Sequence, residues 1–527
     1  MYDDIIVGAG SAGCVLANRL SADPNRQVCL LEAGPEDTSP WIHLPVGIFF
    51  TMRSRTLNWR YQTEPETELY NRRLFWPRGK TLGGSSSINA MVYTRGHPWD
   101  YDHWAELGNH GWGYADLLPL FKRNQHQERG PSDYHGVGGP LNVADLRQHS
   151  EISRVFIRAA AEAGYPLSDD FNGAEQEGVG FYQVTQKNGQ RCSSARAYLH
   201  PVRQRPNLTV MTHALASRVL FEGRRAVGVA YLNRAGKTVE LRTQGEVILS
   251  GGAINSPQLL LLSGVGPRRE LERHGIPIVH DLPGVGQNLQ DHLDVVVAHR
   301  DRRQASYGFA LSFLPRLFKS IIEYQICRRG FLTSNLAEAG GFVKSNPALP
   351  IPNLQYHLTS TILDDHGRHI WSGYGYSLHV CDLRPKSRGV LTLRSADPRD
   401  PPLLQPRYLS HPDDLETLLA GVKTCRNILA TRAFDGYRGE ELFPGKAVQS
   451  GDELREFIRR RAETIYHPVG TCKMGHDRLA VVDDQLRVHG LSGLRVADAS
   501  IMPTLIGGNT NAPTMVIGEK TAELILR

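Results

Sequence analysis

Ile5-Ile6-Val7-Gly8-Ala9-Gly10-Ser11-Ala12-Gly13-Cys14-Val15-Leu16 reads as a short apolar strand, a tight glycine turn and the opening of a helix. The spacing of Gly8, Gly10 and Gly13 gives each glycine a task. Gly8 permits the turn, Gly10 lets the backbone approach a pyrophosphate, and Gly13 lets the helix lie close on the strand. The helix start, from Ser11 and Ala12, offers unpaired N–H groups and partial positive charge to an anion. Val28-Cys29-Leu30-Leu31 is a second apolar strand, and it ends in Glu32-Ala33, with Glu32 19 residues beyond Gly13. A carboxylate at that place accepts hydrogen bonds from ribose hydroxyls and repels the additional phosphate of NADP. Strand, glycine turn, helix, strand and acid in that order make dinucleotide binding the expectation, against a glycine-rich turn with no ligand. The motif does not separate FAD from NAD.

Further along, Glu246-Val247-Ile248-Leu249-Ser250, followed by Gly251-Gly252, and Leu494-Arg495-Val496-Ala497-Asp498-Ala499 resemble additional strands of one parallel sheet. Short apolar runs of this kind suit a sheet buried on both faces. The nucleotide domain is therefore expected to be discontinuous, from 1–150, 191–298 and 462–527. Residues 151–190 and 299–461 form a second domain. There Leu391-Thr392-Leu393-Arg394 alternates apolar with polar, as in an antiparallel sheet with one covered face.

Of the 527 residues, 40% are apolar and 22% charged, as in an ordinary soluble globular protein. The net charge of +6 is spread along the chain, without the concentrated basic stripe of a nucleic-acid-binding protein. The seven cysteines are widely spaced and form no C-x-x-C pair, which argues against a disulfide framework or zinc site and for reduced thiols. No run reaches the length of a membrane-spanning helix. Met1-Tyr2-Asp3-Asp4 is acidic where a targeting segment is basic, so a cytoplasmic location is expected.

Two further stretches identify the cofactor class. Gly79-Lys80-Thr81-Leu82-Gly83-Gly84-Ser85-Ser86-Ser87-Ile88-Asn89 continues through Met91, Val92, Tyr93 and Arg95 to Asp102. Gly252-Ala253-Ile254-Asn255-Ser256-Pro257 continues to Ser263-Gly264-Val265-Gly266. With His467-Pro468-Val469-Gly470-Thr471 and Gly508-Asn509-Thr510-Asn511-Ala512-Pro513-Thr514, they resemble the glucose–methanol–choline (GMC) oxidoreductase family, and the resemblance runs from Tyr2 to Arg527. Within the family it extends to bacterial aliphatic alcohol dehydrogenases of alkane oxidation and to choline dehydrogenases. It implies a Rossmann-like FAD-binding domain, a substrate domain built on an antiparallel sheet, and removal of hydride from an alcohol carbon. By the same resemblance FAD contacts fall at Gly8, Gly10, Ser11, Ala12, Gly13, Glu32 and Ala33. Others fall at Gly79, Leu82, Gly83, Gly84, Ser85, Asn89, Met91, Val92 and Val219, and in the C-terminal part at Asp498, Ala499, Asn511, Pro513 and Thr514. Some relatives attach FAD to a histidine near Asn89. No histidine occurs from 79 to 96, so non-covalent FAD is expected.

Removing a hydroxyl proton calls for a base of near-neutral pKa, and histidine is the usual one. Among 21 histidines, His467 matches the family's catalytic position, and Asn511, 44 residues on, stands where relatives carry His or Asn. An amide there donates to the alkoxide without itself taking a proton; it also suits a turn before the helix opened by Pro513. His292, in Gln290-Asp291-His292, reads as a structural turn near the cofactor. Glu338 either faces the substrate cavity, where it would pair with a cation such as choline, or bonds its neighbours. The segment 307–329 carries Phe309, Leu311, Phe313, Leu314, Leu317, Phe318, Ile321 and Ile322 among Arg316, Lys319, Arg328 and Arg329, with Pro315 interrupting the helix. That pattern suits either an anionic membrane surface or a lid. The resemblance implies an electron acceptor other than oxygen, such as a membrane quinone, which membrane contact through this segment would fit. The alternatives are a choline dehydrogenase, an oxidase yielding hydrogen peroxide, and a hydroxynitrile-lyase-like flavoprotein without redox turnover.

Overall fold

The computed structural model describes residues 1–527, the side chain of His366 excepted. The opening strand, Tyr2–Val7, pairs in parallel with Val28–Leu31 on one side and with the end of Thr238–Leu249 on the other. Leu208–Met211 and Leu494–Val496 complete the parallel part. Val28–Leu31 and Val247–Leu249 are wholly buried, as short apolar strands covered on both faces should be. The long strand Thr238–Leu249 runs out of this core. There Arg225–Leu232 and Leu215–Glu222 add to it in antiparallel fashion, and burial alternates along the outer part of the long strand, 238–244.

The first helix, Ser11–Leu20, is covered by the last, Asn511–Leu526. Gly518 makes the approach possible: a Cβ there would stand 2.9 Å from the Ala12 carbonyl oxygen. The buried Glu519 carboxylate accepts from Arg19 (2.8 Å), Arg123 (2.8 Å) and the Tyr198 hydroxyl (3.0 Å), tying the last helix to three other segments.

A second large sheet is antiparallel throughout its main path. Its order is Arg438–Phe443, Leu293–Asp301, Gly373–Asp382, Leu354–Thr359, Ala337–Val343 and Gly178–Phe181. The strands do not alternate. Ala337–Val343 and Leu354–Thr359 are buried at every position. Helices Glu151–Glu162 and Pro412–Leu429 cover one face, and the other closes the cavity described below, so both faces are shielded. The alternating stretch Leu391–Arg394 is not part of this sheet: Val390–Thr392 pairs only with Leu403–Gln405. The edge expected at 298 falls inside the strand Leu293–Asp301. The expected helix in 307–329 is Leu314–Cys327, and Pro315 starts it rather than breaking it, where a missing N–H costs nothing. No helix among the described residues is long and apolar enough to cross a membrane.

Candidate active site

A large cavity lies where the two sheets face each other, with about 2320 Å³ of empty space, part of it open to solvent. Its floor is the carboxyl ends of the parallel strands at Val7, Leu31 and Leu249, and its roof includes Ala337, His357, Thr359 and His379 of the antiparallel sheet. Open α/β sheets bind their ligands at that end of the strands.

The floor fits a dinucleotide. A Cβ on Gly10 would meet nothing closer than the Ser250 carbonyl oxygen at 3.8 Å, so this glycine faces open cavity. By contrast, Cβ atoms on Gly8 and Gly13 would collide with the Ser250 and Gly8 carbonyl oxygens at 2.5 and 1.9 Å, so those two glycines serve backbone packing. The 83–87 loop abuts this turn: a Cβ on Gly84 would lie 2.7 Å from Gly10 Cα, and Gly83 N–H donates to the Ala9 carbonyl at 2.7 Å. The first and last helices both begin at the cavity, neither with a side-chain cap. Their positive ends favour phosphate or a flavin anion there. Glu32 is buried on the wall and accepts from Ala9 N–H (3.1 Å) and Gly34 N–H (2.8 Å); burial still pushes its pKa up to about 7. Asp498 accepts from Gly252 N–H (2.8 Å) and Ser256 hydroxyl (2.6 Å), which fixes the Gly251-Gly252 bend.

Ser11, Ala12, Ala33, Gly79, Ser85, Asn89, Met91, Val92, Ala499 and Thr514 also line the cavity. Gly13, Leu82, Gly83, Val219 and Pro513 stand behind the wall. The Val219 N–H donates to Ser263 Oγ (2.8 Å), and Ala214, Leu215 and Ala216 take the place on the wall that Val219 was expected to hold. Arg78 lines the cavity as well, and nothing in its local pattern singled it out.

His467 sits on an irregular bend between two short pairings with residues 290–294, and the bend is held from several sides. Tyr466 has φ of 72°, a left-handed conformation costly for a tyrosine. Its N–H donates to Thr464 Oγ1 (2.8 Å) and its carbonyl accepts from Arg78. The His467 N–H donates to Asp291 Oδ1 (2.6 Å), and the other oxygen of that carboxylate accepts from the Thr464 and Tyr408 hydroxyls.

The imidazole contacts define a tautomer. His292 Nε2 lies 3.2 Å from the Leu383 carbonyl oxygen, which only accepts, so this nitrogen carries the proton. Burial lowers the His292 pKa to about 4, so its ring is neutral and its Nδ1 must accept. The partner of Nδ1 is His467 Nδ1 at 2.9 Å, which therefore donates. His467 is also neutral, its pKa driven well below 6.5 by burial and then by His292, His357 and Arg78. Its Nε2 lone pair is thus left toward the cavity, the state a general base requires. His292, read from the sequence as a structural turn, is in direct contact with the base.

The amide beside that lone pair is Asn509: its Nδ2 is 3.2 Å from His467 Nε2. Asn509 Oδ1 accepts from Gln355 Nε2 (3.1 Å) and Thr94 Oγ1 (3.3 Å), which points the NH2 toward the base. Asn511, expected in this role, accepts from Ser11 Oγ at 2.7 Å and joins the starts of the two helices. The two asparagines share one motif, and only the helix start at Asn511 separates their directions. Glu338 does not reach the cavity. It accepts from Ser150 N–H (2.7 Å), Ser153 Oγ (2.9 Å), Ser334 Oγ (2.7 Å) and Tyr307 hydroxyl (3.2 Å), so it bonds its neighbours. Elsewhere the cavity wall carries apolar side chains, among them Ile48, Phe49, Met52, Leu336, Leu363 and Ile465.

A GMC oxidoreductase N-terminal family model matches residues 2–294 and the corresponding C-terminal model residues 385–518. The chain is 57% identical to an alcohol dehydrogenase (acceptor) of Pseudomonas putida, over 100% of this chain and 96% of that one. It is 47% identical to the mitochondrial choline dehydrogenase of Mus musculus, over 99% and 89% of the two chains. Among solved structures, pyridoxine 4-oxidase from Mesorbium loti superposes with a TM-score of 0.90 at 33% identity, covering 99% of each chain. A formate oxidase of Aspergillus oryzae gives 0.91 at 28%, covering 99% and 98%. With a nucleotide cradle, a neutral buried histidine and an amide in one cavity, and both halves of the chain matched, the protein belongs to the GMC oxidoreductase family.

Proposed function

We propose that this chain binds FAD non-covalently and oxidises an aliphatic primary alcohol to the aldehyde, passing the electrons to an acceptor other than oxygen. The observation that carries the reading is the His467 Nε2 lone pair, fixed by the His292 contact and set beside the Asn509 amide in an apolar chamber. When bound, FAD supplies the hydride acceptor. His467 takes the hydroxyl proton, and Asn509 donates to the same oxygen as it becomes an alkoxide. Gly10, Ser11, Glu32, Gly84 and Ser85 hold the cofactor, and the helix starting at Asn511 favours negative charge on it. The division into an FAD domain and a substrate domain is supported by the two sheets, with their join drawn at Leu293. Non-covalent attachment is supported by Ile88 and Asn89 at the wall and no histidine from 79 to 96; acid precipitation should release all the FAD.

The apolar wall and the internal satisfaction of Glu338 favour an alkyl chain over choline. For the acceptor, Leu314–Cys327 turns its apolar face outward: Phe318, Ile322 and Ile326 are 64%, 59% and 76% exposed. Arg316, Lys319 and Arg329 flank them, which suits an anionic bilayer and a quinone within it. The test is anaerobic mixing with 1-octanol and, separately, with choline. Bleaching of the oxidised flavin by octanol, with slow recolouring in air, is the expected result. Bleaching by choline alone overturns the substrate assignment, and fast recolouring overturns the acceptor.

A further inference from the structure

A second cavity, with about 820 Å³ of empty space, adjoins the first, bounded by Phe49, Met52, Phe75, Arg53, Arg60 and Arg368 among others. Phe49 and Met52 line both cavities, so the larger chamber and this smaller antechamber share a wall. Its apolar part is those two side chains and the Phe75 ring, over which Arg368 lies at 4.7 Å. Its polar part is three guanidiniums. Arg368 is paired with Asp365 at 2.5 Å. Arg53 donates to backbone carbonyls only, at Phe49 (3.3 Å) and Gly367. Arg60 is exposed, held by its backbone N–H on Asn58 Oδ1 (2.9 Å), and its side chain makes no ion pair among the described residues. The nearby Glu463 is taken by Arg72 at 3.0 Å. Two of the three positive charges therefore have no carboxylate partner, beside a chamber built for apolar chains.

We propose that this antechamber binds an anionic headgroup, carboxylate or phosphate, carried on an alkyl chain, with the headgroup among Arg53, Arg60 and Arg368 and the chain along Phe49 and Met52. Guanidiniums match the two oxygens of such groups in paired hydrogen bonds. A medium-chain carboxylate is what the aldehyde becomes after one further oxidation by an aldehyde-oxidising enzyme. Only the choice of chain length rests on the aliphatic-alcohol reading. A phospholipid presents the same chemistry from a different source.

The test is calorimetric titration of octanoate and of octyltrimethylammonium into the holoenzyme, beside sedimentation with phosphatidylcholine vesicles with and without phosphatidylglycerol. Octanoate should bind at least tenfold more tightly than the cation. The R53Q/R60Q double variant should lose about tenfold and R53K/R60K, which keeps the charge without the fork, should recover only part of it; Arg60→Gln alone, which breaks no side-chain hydrogen bond, should lose part. Arginine-dependent retention on phosphatidylglycerol vesicles without octanoate binding supports the site with a lipid phosphate as its occupant. Absence of both, or indifference of both to the arginine variants, overturns the proposal. Arginine-dependent binding in an enzyme that octanol fails to bleach would refute the alcohol reading and leave this site standing.

Discussion

The proposed role of His467 as base rests on what its other nitrogen touches. The proton on Nδ1 is held by His292, whose own proton is held by the Leu383 carbonyl, so the lone pair can only lie on Nε2. His467→Gln should slow flavin reduction by about 10²–10⁴-fold while FAD stays bound, read by anaerobic stopped flow. The two asparagines should separate: Asn509→Ala lowers the reduction rate by about 10²-fold, whereas Asn511→Ala acts mainly on FAD retention. If Asn511→Ala gave the larger rate loss, the assignment would be reversed. Because the His467 pKa lies well below 6.5, the base stays neutral as pH falls, and the acid limb of the reduction rate should lie below that value. Glu32 has the opposite shift, raised to about 7 by burial. Ribose hydroxyls donate to the carboxylate, so FAD binding favours its charged form. Affinity should rise with pH up to about 7, by as much as about tenfold per unit, and then level off; Glu32→Gln should flatten the curve.

At the scale of elements, close approach decides. The last helix reaches the glycine turn because position 518 has no side chain. Gly518→Ala would push a methyl to within 2.9 Å of the Ala12 carbonyl and 3.0 Å of Val15 Cβ. A loss of about 1–3 kcal/mol is expected, seen as a lower melting temperature together with earlier release of flavin fluorescence. The helix Leu314–Cys327 behaves differently, since it buries only Ser320 and Tyr324. Phe318→Glu with Ile322→Glu should leave the melting temperature nearly unchanged and reduce sedimentation with anionic vesicles. Loss of folding instead would mean that the apolar face is covered within the protein.

For the whole molecule, the cavity is the seam between two sheets, and a ligand spanning it contributes to holding them together. Saturating FAD at 100 times its dissociation constant adds about 2.7 kcal/mol to stability. Removing it should lower the melting temperature and expose the seam to proteases, with the parallel core more resistant than the loops around 83–91.

The parallel core, the glycine-rich cradle and the histidine that the cavity holds were all legible in the sequence. Strand–glycine–helix order and the apolar runs at 28–31, 246–250 and 494–496 are local signals, and each needs only its neighbours to be read. The antiparallel sheet was legible as a class, yet not in its burial: whether a strand is covered on one face or two depends on what lies over it, here the helices 151–162 and 412–429. Tertiary structure alone decided which amide meets His467. Asn509 and Asn511 are near-equivalent in sequence, but the helix begins between their roles, sending one toward the base and the other toward Ser11. It also decided that His292 is a partner of the base and that Glu338 is not a wall of the chamber. Those are facts about residues 31 to 188 positions apart, and spacing along a chain does not carry the direction of a side chain across such distances.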